Sequence, residues 1–198
     1  MWSKKGLVMV TRPKQSSRRV SPPKTRKIVN KGDIRLTSKQ KAELTKKIKQ
    51  KDGLTASELL RQTAKDWEAV PENAKAVMVY DAYFEPNDLS PSGYVFKSVT
   101  DCKDDERYQA GKKIKNGVHN QMIYSLSKSM KVGSHNKLFV QCDCEFFLYN
   151  CEYSLTRWGS SEIKYSNGQP AKIKNPQNKP WICKHLFKCL AILKANGK

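Results

Sequence analysis

Two short stretches of this sequence carry side chains able to act together. In FVQCDCEFF, Cys142 and Cys144 are separated by one residue; in WICKHL, Cys183 and His185 repeat that spacing. On an ideal strand, side chains at i and i+2 share a face, so each pair can converge on one object where the chain curls. The chain holds 6 Cys and 3 His. Its N-terminus shows no secretory apolar core, only Leu7–Val10 among basic residues, so an intracellular site of synthesis is expected and a disulfide framework is not. Metal binding is then the leading explanation for clustered thiols. Three thiolates and one imidazole make a closed tetrahedral set for one structural Zn²⁺. Soft sulfur and borderline nitrogen suit zinc far better than Ca²⁺ or Mg²⁺. Such a centre carries a net negative charge, which Lys184, Lys188 and Arg157 would favour. The competing reading treats Cys142 and Cys144 as small buried hydrophobes.

The remaining thiols and imidazoles read differently. Cys151 and Cys189 fall on apolar faces of expected helices, where burial is the ordinary fate. Cys189 lies four residues after His185 and is the best substitute ligand. Cys102 is expected in a loop, and His119 and His135 in polar turns with solvated side chains. Four protein ligands leave zinc no open position for water, and no Gly-rich phosphate loop, Ser-His-Asp set or HExxH accompanies them, so an enzyme is not expected. Asp104, Asp105 and Glu106 are read as a solvated acidic loop rather than a hydrolytic site.

The elements that must position the two hooks follow from periodicity. LTSKQKAELTKKIKQKDG predicts a helix capped by Ser38 and ended by Gly53. LTASELLRQTAKDWEAVP predicts a second, with Thr55 and Glu58 as a capping box, an apolar stripe of Leu59, Leu60, Thr63 and Trp67, and a stop before Pro71. AVMVYDAYF and GYVFKSV are strand-like. HNQMIYSLSKS and NKLFVQC predict a hairpin that delivers Cys142 at the end of its second strand. EFFLYNCEYSLTRWG predicts a helix burying Phe147, Cys151, Ser154 and Leu155 and ending at Gly159. IKYSNGQPAKIK predicts a hairpin turning at Asn167-Gly168, and CKHLFKCLAILKANGK a closing amphipathic helix. Tyr124, Phe139 and Tyr149 are candidates for a stacking surface but read better as core. The fold class is α+β: a basic extended arm (1–36), a helical hairpin (37–71), a β-rich and looped segment (72–118), and an antiparallel β plus helix domain (119–198).

Cys-x-Cys followed at a distance by Cys-x-His resembles the SWIM zinc finger. The resemblance covers about residues 120–195. It implies a ββα zinc unit, with the first pair at a strand end and the second at a helix start. FVQCDCEFF and PWICKHLFKCLAIL match that layout. The 38 residues between the pairs (145–182) are long for the family, and the expected helix and hairpin would fill them as a folded insertion. The tail RWGSSEIKYSNGQPAKIKNPQNKPWICKHL is also similar to SWIM-containing proteins of tailed bacteriophages.

Charge supplies the expectation about partners. The net charge is +20, made up of +15 over residues 1–51, −7 over residues 52–106 and +12 over residues 107–198. A field this positive favours a polyanion or an acidic protein surface. Pro22-Pro23 and a lack of apolar period predict an unstructured arm, with Arg12, Lys14, Arg18, Arg19, Lys24, Arg26 and Lys27 as its contact residues. No apolar run has the length of about 20 residues that a membrane helix needs. Together with the resemblance, these features lead to one expectation: a zinc-stabilised structural component of a bacteriophage virion. It would be made in the host cytoplasm, take part in a symmetric assembly with other phage structural proteins, and touch nucleic acid through non-specific phosphate contacts. The alternative is a regulatory nucleic-acid-binding zinc-finger protein.

Overall fold

The structure is a computed structural model that describes residues 36–88, 90–102, 118–128 and 135–196. Residues 1–35 of the arm, with its seven contact residues, lie outside these, as do Asp104, Asp105 and Glu106. Residues 34–198 form one compact unit.

Local signals set the first helices. Helix α1 spans Ser38–Ile48, and its cap is Thr37 rather than Ser38, because Gln40 closes a capping box with Thr37. The short strand β1 (Leu54–Thr55) runs directly into α2 (Ala56–Asp66), where Thr55 and Glu58 form the predicted box. In α2, Leu59 and Thr63 are fully buried, with Leu60 and Trp67 packed beside them. Pro71 does not stop the chain. It sits in the first turn of a third helix, α3 (Ala69–Lys75), where a missing N–H costs nothing because that turn has no carbonyl to meet it. Helix α1 lies against the later helix Glu152–Arg157, and α2 packs on α3 and on the closing helix. The expected helical hairpin is thus opened, because β1 joins the sheet between its two helices.

Four more strands follow: β2 (Val77–Pro86), β3 (Tyr94–Cys102), β4 (Val118–Ser125) and β5 (Lys137–Cys142). They form an antiparallel five-stranded sheet in the order β1-β5-β4-β3-β2. The mixture of helices with this sheet is compatible with the α+β class. Cys102 closes β3 and pairs with Val77, so it belongs to a strand and not to a loop. The register between β2 and β3 slips between Tyr80 and Tyr83, where one extra residue is accommodated and Asp81 takes a left-handed φ of 41°. The β4–β5 hairpin forms as the alternation predicts, pairing Gln121 with Cys142 and Ile123 with Val140.

After β5 the chain turns into a π-helical segment (Phe147–Cys151) continuous with α4 (Glu152–Arg157). Gly159, at φ 76°, ends it in a Schellman motif: the Ser160 N–H reaches the Leu155 carbonyl and the Gly159 N–H the Thr156 carbonyl. A Cβ at Gly159 would lie 2.1 Å from the Lys51 carbonyl oxygen, so only glycine lets segment 50–53 cross here. The last helix, α5 (Lys184–Ala195), packs on α2, α3, β2, β4 and β5. One core results, drawn from Leu59, Phe96, Ile123, Leu138, Val140, Phe147, Leu155, Ile182, Leu186 and Leu190.

The hairpin expected at Asn167-Gly168 is absent; that stretch is irregular. Its backbone donors go elsewhere. The N–H groups of Lys164, Tyr165 and Ser166 all donate to the carboxylate of Glu152, at 3.2, 2.9 and 2.7 Å. Glu152 is fully buried, so these donors replace the water it has lost. A loop wound around a carboxylate cannot also form a ladder.

Candidate metal centre

Two chain segments deliver two donors each. Cys142 ends β5 and Cys144 sits just before the first helical turn, where the Phe147 N–H points at its sulfur, 3.4 Å away. Cys183 is the N-cap residue of α5, and His185 lies in its first turn. A helix N-terminus favours negative charge, and the Phe147 N–H aimed at Cys144 makes that sulfur the one where a thiolate is stabilised.

The geometry brings together the four predicted residues. The donor atoms of Cys142, Cys144, Cys183 and His185 all lie within 4.8 Å of one another, and all four residues are buried. Cys142 Sγ is 3.8 Å from His185 Nδ1. A tetrahedral ion with metal–sulfur bonds of about 2.3 Å and a metal–nitrogen bond of about 2.0–2.1 Å sets its donors roughly 3.6–3.8 Å apart. The quartet is compatible with one metal-ion site.

The electrostatics point the same way. Burial pushes the Cys142 and Cys183 thiols well above the ordinary range. Hydrogen bonds from Cys142 and Cys183 pull Cys144 well below it. The pocket thus tolerates a thiolate at one of three adjacent sulfurs and resists it at the other two. A divalent cation reverses that resistance, because it deprotonates the thiols that ligate it.

The other candidates fall outside the centre. Cys151 is fully buried on the π segment, and burial raises its thiol well above the usual range. Cys189 faces β3 rather than the quartet. Its sulfur is 3.2 Å from Ser98 Oγ, and burial pushes its thiol up to about 11. Neither belongs to the four-residue cluster. His135 is exposed, as expected.

His119 is not a solvated turn residue. It lies on β4, its ring is 4.5 Å from that of His185, and its Nδ1 is 3.2 Å from Asp143 Oδ1. Asp143 also accepts from the Asn120 backbone and side chain. Burial pushes the Asp143 carboxyl up, but the bonds from His119 and Asn120 outweigh it and hold the group below the usual range. The residue between the two thiols is thereby fixed, and with it the curl that turns both sulfurs inward.

Gln121 is the second residue that the sequence reading missed. It is buried, and its amide nitrogen lies 2.8 Å from Thr100 Oγ1, 2.8 Å from the His119 carbonyl and 3.7 Å from Cys142 Sγ. Its amide oxygen accepts from Ser98. Cross-strand register was the available signal: once the hairpin is drawn, Gln121 falls opposite Cys142, and His119 two residues earlier shares its face. Tyr124 and Phe139 stack on each other with ring centres 4.5 Å apart, whereas Tyr149 is 70% exposed and does not join the core.

Comparison of the chain with family models, with curated proteins and with solved structures finds no match. The functional reading therefore rests on the chemistry of the site. Among the described residues, no helix is long and apolar enough to cross a membrane.

Proposed function

We propose that the protein is a zinc-stapled, non-catalytic structural component of a tailed-bacteriophage particle, built around a SWIM-like zinc finger. One observation carries this reading: three cysteines and one histidine, all buried, converge within 4.8 Å from a strand end and a helix start. Three sulfurs and one imidazole favour Zn²⁺ over hard cations. Bound there, zinc supplies a cross-link rather than a reactive centre, since four protein donors fill its tetrahedron. In this reading β4, β5 and α5 are the ββα unit, and residues 145–182 are an insertion folded against it.

The charge supports the partner assignment. The +15 of residues 1–51 suits either packaged nucleic acid, held through phosphates, or acidic faces of neighbouring phage subunits. The resemblance read in the sequence of residues 157–186 is the reason the particle is proposed ahead of a regulator. Quantitative mass spectrometry of purified particles tests it. The reading predicts a fixed, symmetric copy number with one zinc per copy. A protein found only in infected-cell extract, and absent from particles, would favour the regulatory alternative.

A further inference from the structure

We propose that a cleft on the helical side of the molecule binds a segment of single-stranded nucleic acid. One wall is α2, with Arg61 and Gln62; the other is the end of α4, with Arg157 and Trp158, and the segment Asn178–Lys179. Its volume is about 450 Å³, within the range of sites that enclose a ligand. This proposal shares with the proposed function only the reading that the protein meets polyanions. It does not depend on the arm.

Three features define the occupant. Lys51, Arg61, Arg157 and Lys179 line the cleft with Glu58; Lys179 is paired with Asp66, so the excess positive charge comes from Lys51, Arg61 and Arg157. The Glu58 carboxylate already serves the Thr55 cap. The cleft therefore suits phosphates. Its aromatic member is Trp158, packed against the core and partly exposed, with the Lys51 ammonium over the ring, 5.4 Å from its centre, where an arriving base would have to displace it. A positive groove with an aromatic face is the arrangement that holds unpaired bases by stacking and their backbone by charge. The amides of Gln62 and Asn178 add donors and acceptors suited to base edges. A duplex offers phosphates but hides its base faces, and an acidic peptide offers carboxylates without the regular alternation of anion and flat ring that a single strand repeats along its length.

The walls are built rather than incidental. The Gln50 N–H bonds the Arg157 carbonyl at 2.9 Å, and the Gly53 N–H bonds the Trp158 carbonyl at 2.8 Å. The close crossing at Gly159 locks these strands of chain together. Lys179 is held at 3.1 Å from Asp66, and the Arg157 Nε–H at 2.7 Å from Gln50. Cationic groups fixed in advance lose little freedom when a ligand arrives.

The test uses the full-length, zinc-loaded protein and an oligothymidylate of about twelve nucleotides, a typical single-strand site size, carrying photoreactive 5-iododeoxyuridine. Cross-links should map to the peptides containing Lys51 and Trp158. Arg61→Glu reverses a charge at an exposed position and spares the core; it should weaken oligonucleotide binding about tenfold or more. Binding of duplex DNA should change far less in that variant, because a duplex cannot lay a base face in the cleft. Trp158→Ala should weaken oligonucleotide binding about tenfold, and Arg61→Glu keeps the test open should that variant misfold. Cross-links confined to residues 1–35, unchanged affinity in Arg61→Glu, or equal losses for duplex and single strand would each overturn the proposal. So would displacement by thymidine monophosphate as effective as that by the strand, which would make the cleft a nucleotide pocket.

Discussion

Cys142 Sγ and His185 Nδ1 face each other across 3.8 Å although 43 residues of chain separate them. The first belongs to the sheet and the second to the closing helix, so a bond through one ion would tie the two layers of the core together. In a metal-dependent domain, part of the metal-binding free energy becomes folding free energy, on the order of 10 kcal/mol in small zinc peptides and less where a core already exists. Cys142→Ser or Cys183→Ser should lose bound metal and lower the melting temperature. Chelator should no longer alter the melt of either variant. Cys151→Ala removes an equally buried thiol outside the quartet and should retain full metal content, at a cost of about 1 kcal/mol for the lost packing. Metal analysis and thermal melts on the three variants check this.

Gln121 positions Cys142 without being one of the four donors. Its two amide N–H groups go to Thr100 and the His119 carbonyl at 2.8 Å, and the same nitrogen makes a longer, shared contact of 3.7 Å with the Cys142 sulfur. Gln121→Met keeps the volume and removes the donor. Zinc affinity should fall by about 10- to 100-fold, the usual cost of losing an outer hydrogen bond to a metal ligand. Competition against a chromophoric chelator measures it. An unchanged affinity with normal stability would assign Gln121 to packing alone.

How much of this was legible in the sequence depended on how far each signal reaches along the chain. The ligand quartet was readable because each hook is three residues long. The Thr55–Glu58 box was readable for the same reason. The second helix does end before Pro71, but already at Asp66, and the proline sits in the first turn of a further helix that its pattern did not announce. Asn167-Gly168 misled because its hairpin competed with Glu152, whose three backbone partners lie 12 to 14 residues away. No local pattern marks a buried carboxylate as the organiser of a distant loop. Gln121 and His119 gained their roles only through strand register.

Glu152 should therefore be worth more than its place in a short helix suggests. Glu152→Gln keeps one acceptor oxygen but sets an NH₂ group against backbone N–H donors. A loss on the order of 3 kcal/mol is expected, as for a buried charge whose partners are left unmatched. Urea unfolding gives the magnitude. Hydrogen exchange at Lys164, Tyr165 and Ser166 should accelerate more than exchange in the sheet.

Asp66 links α2 to the segment that leads into the second hook. Its carboxylate accepts from Trp181 Nε1 at 3.0 Å, from Gln62, and from Lys179 at 3.1 Å. The Trp181 bond, followed by those from Gln62 and Lys179, holds its carboxyl below the usual range against the opposing effect of burial. A depressed folded-state value means that the stabilisation is present above the ordinary aspartate value of about 4 and is lost as pH falls through the folded one. Asp66→Asn should therefore lower stability at neutral pH, and the gap from the parent should close below about pH 4. Melting curves of both proteins from about pH 6 down to about pH 3 decide it. A gap that stays constant to the lowest pH would mean that the charge contributes nothing.

The central claim is that one zinc ion joins the two hooks. X-ray absorption at the zinc edge on the purified full-length protein tests it most directly. The account predicts one zinc per chain, with three sulfur neighbours at about 2.3 Å and one nitrogen at about 2.0–2.1 Å. A shell of oxygen and nitrogen alone, or well under one zinc per chain after purification without chelator, would contradict it.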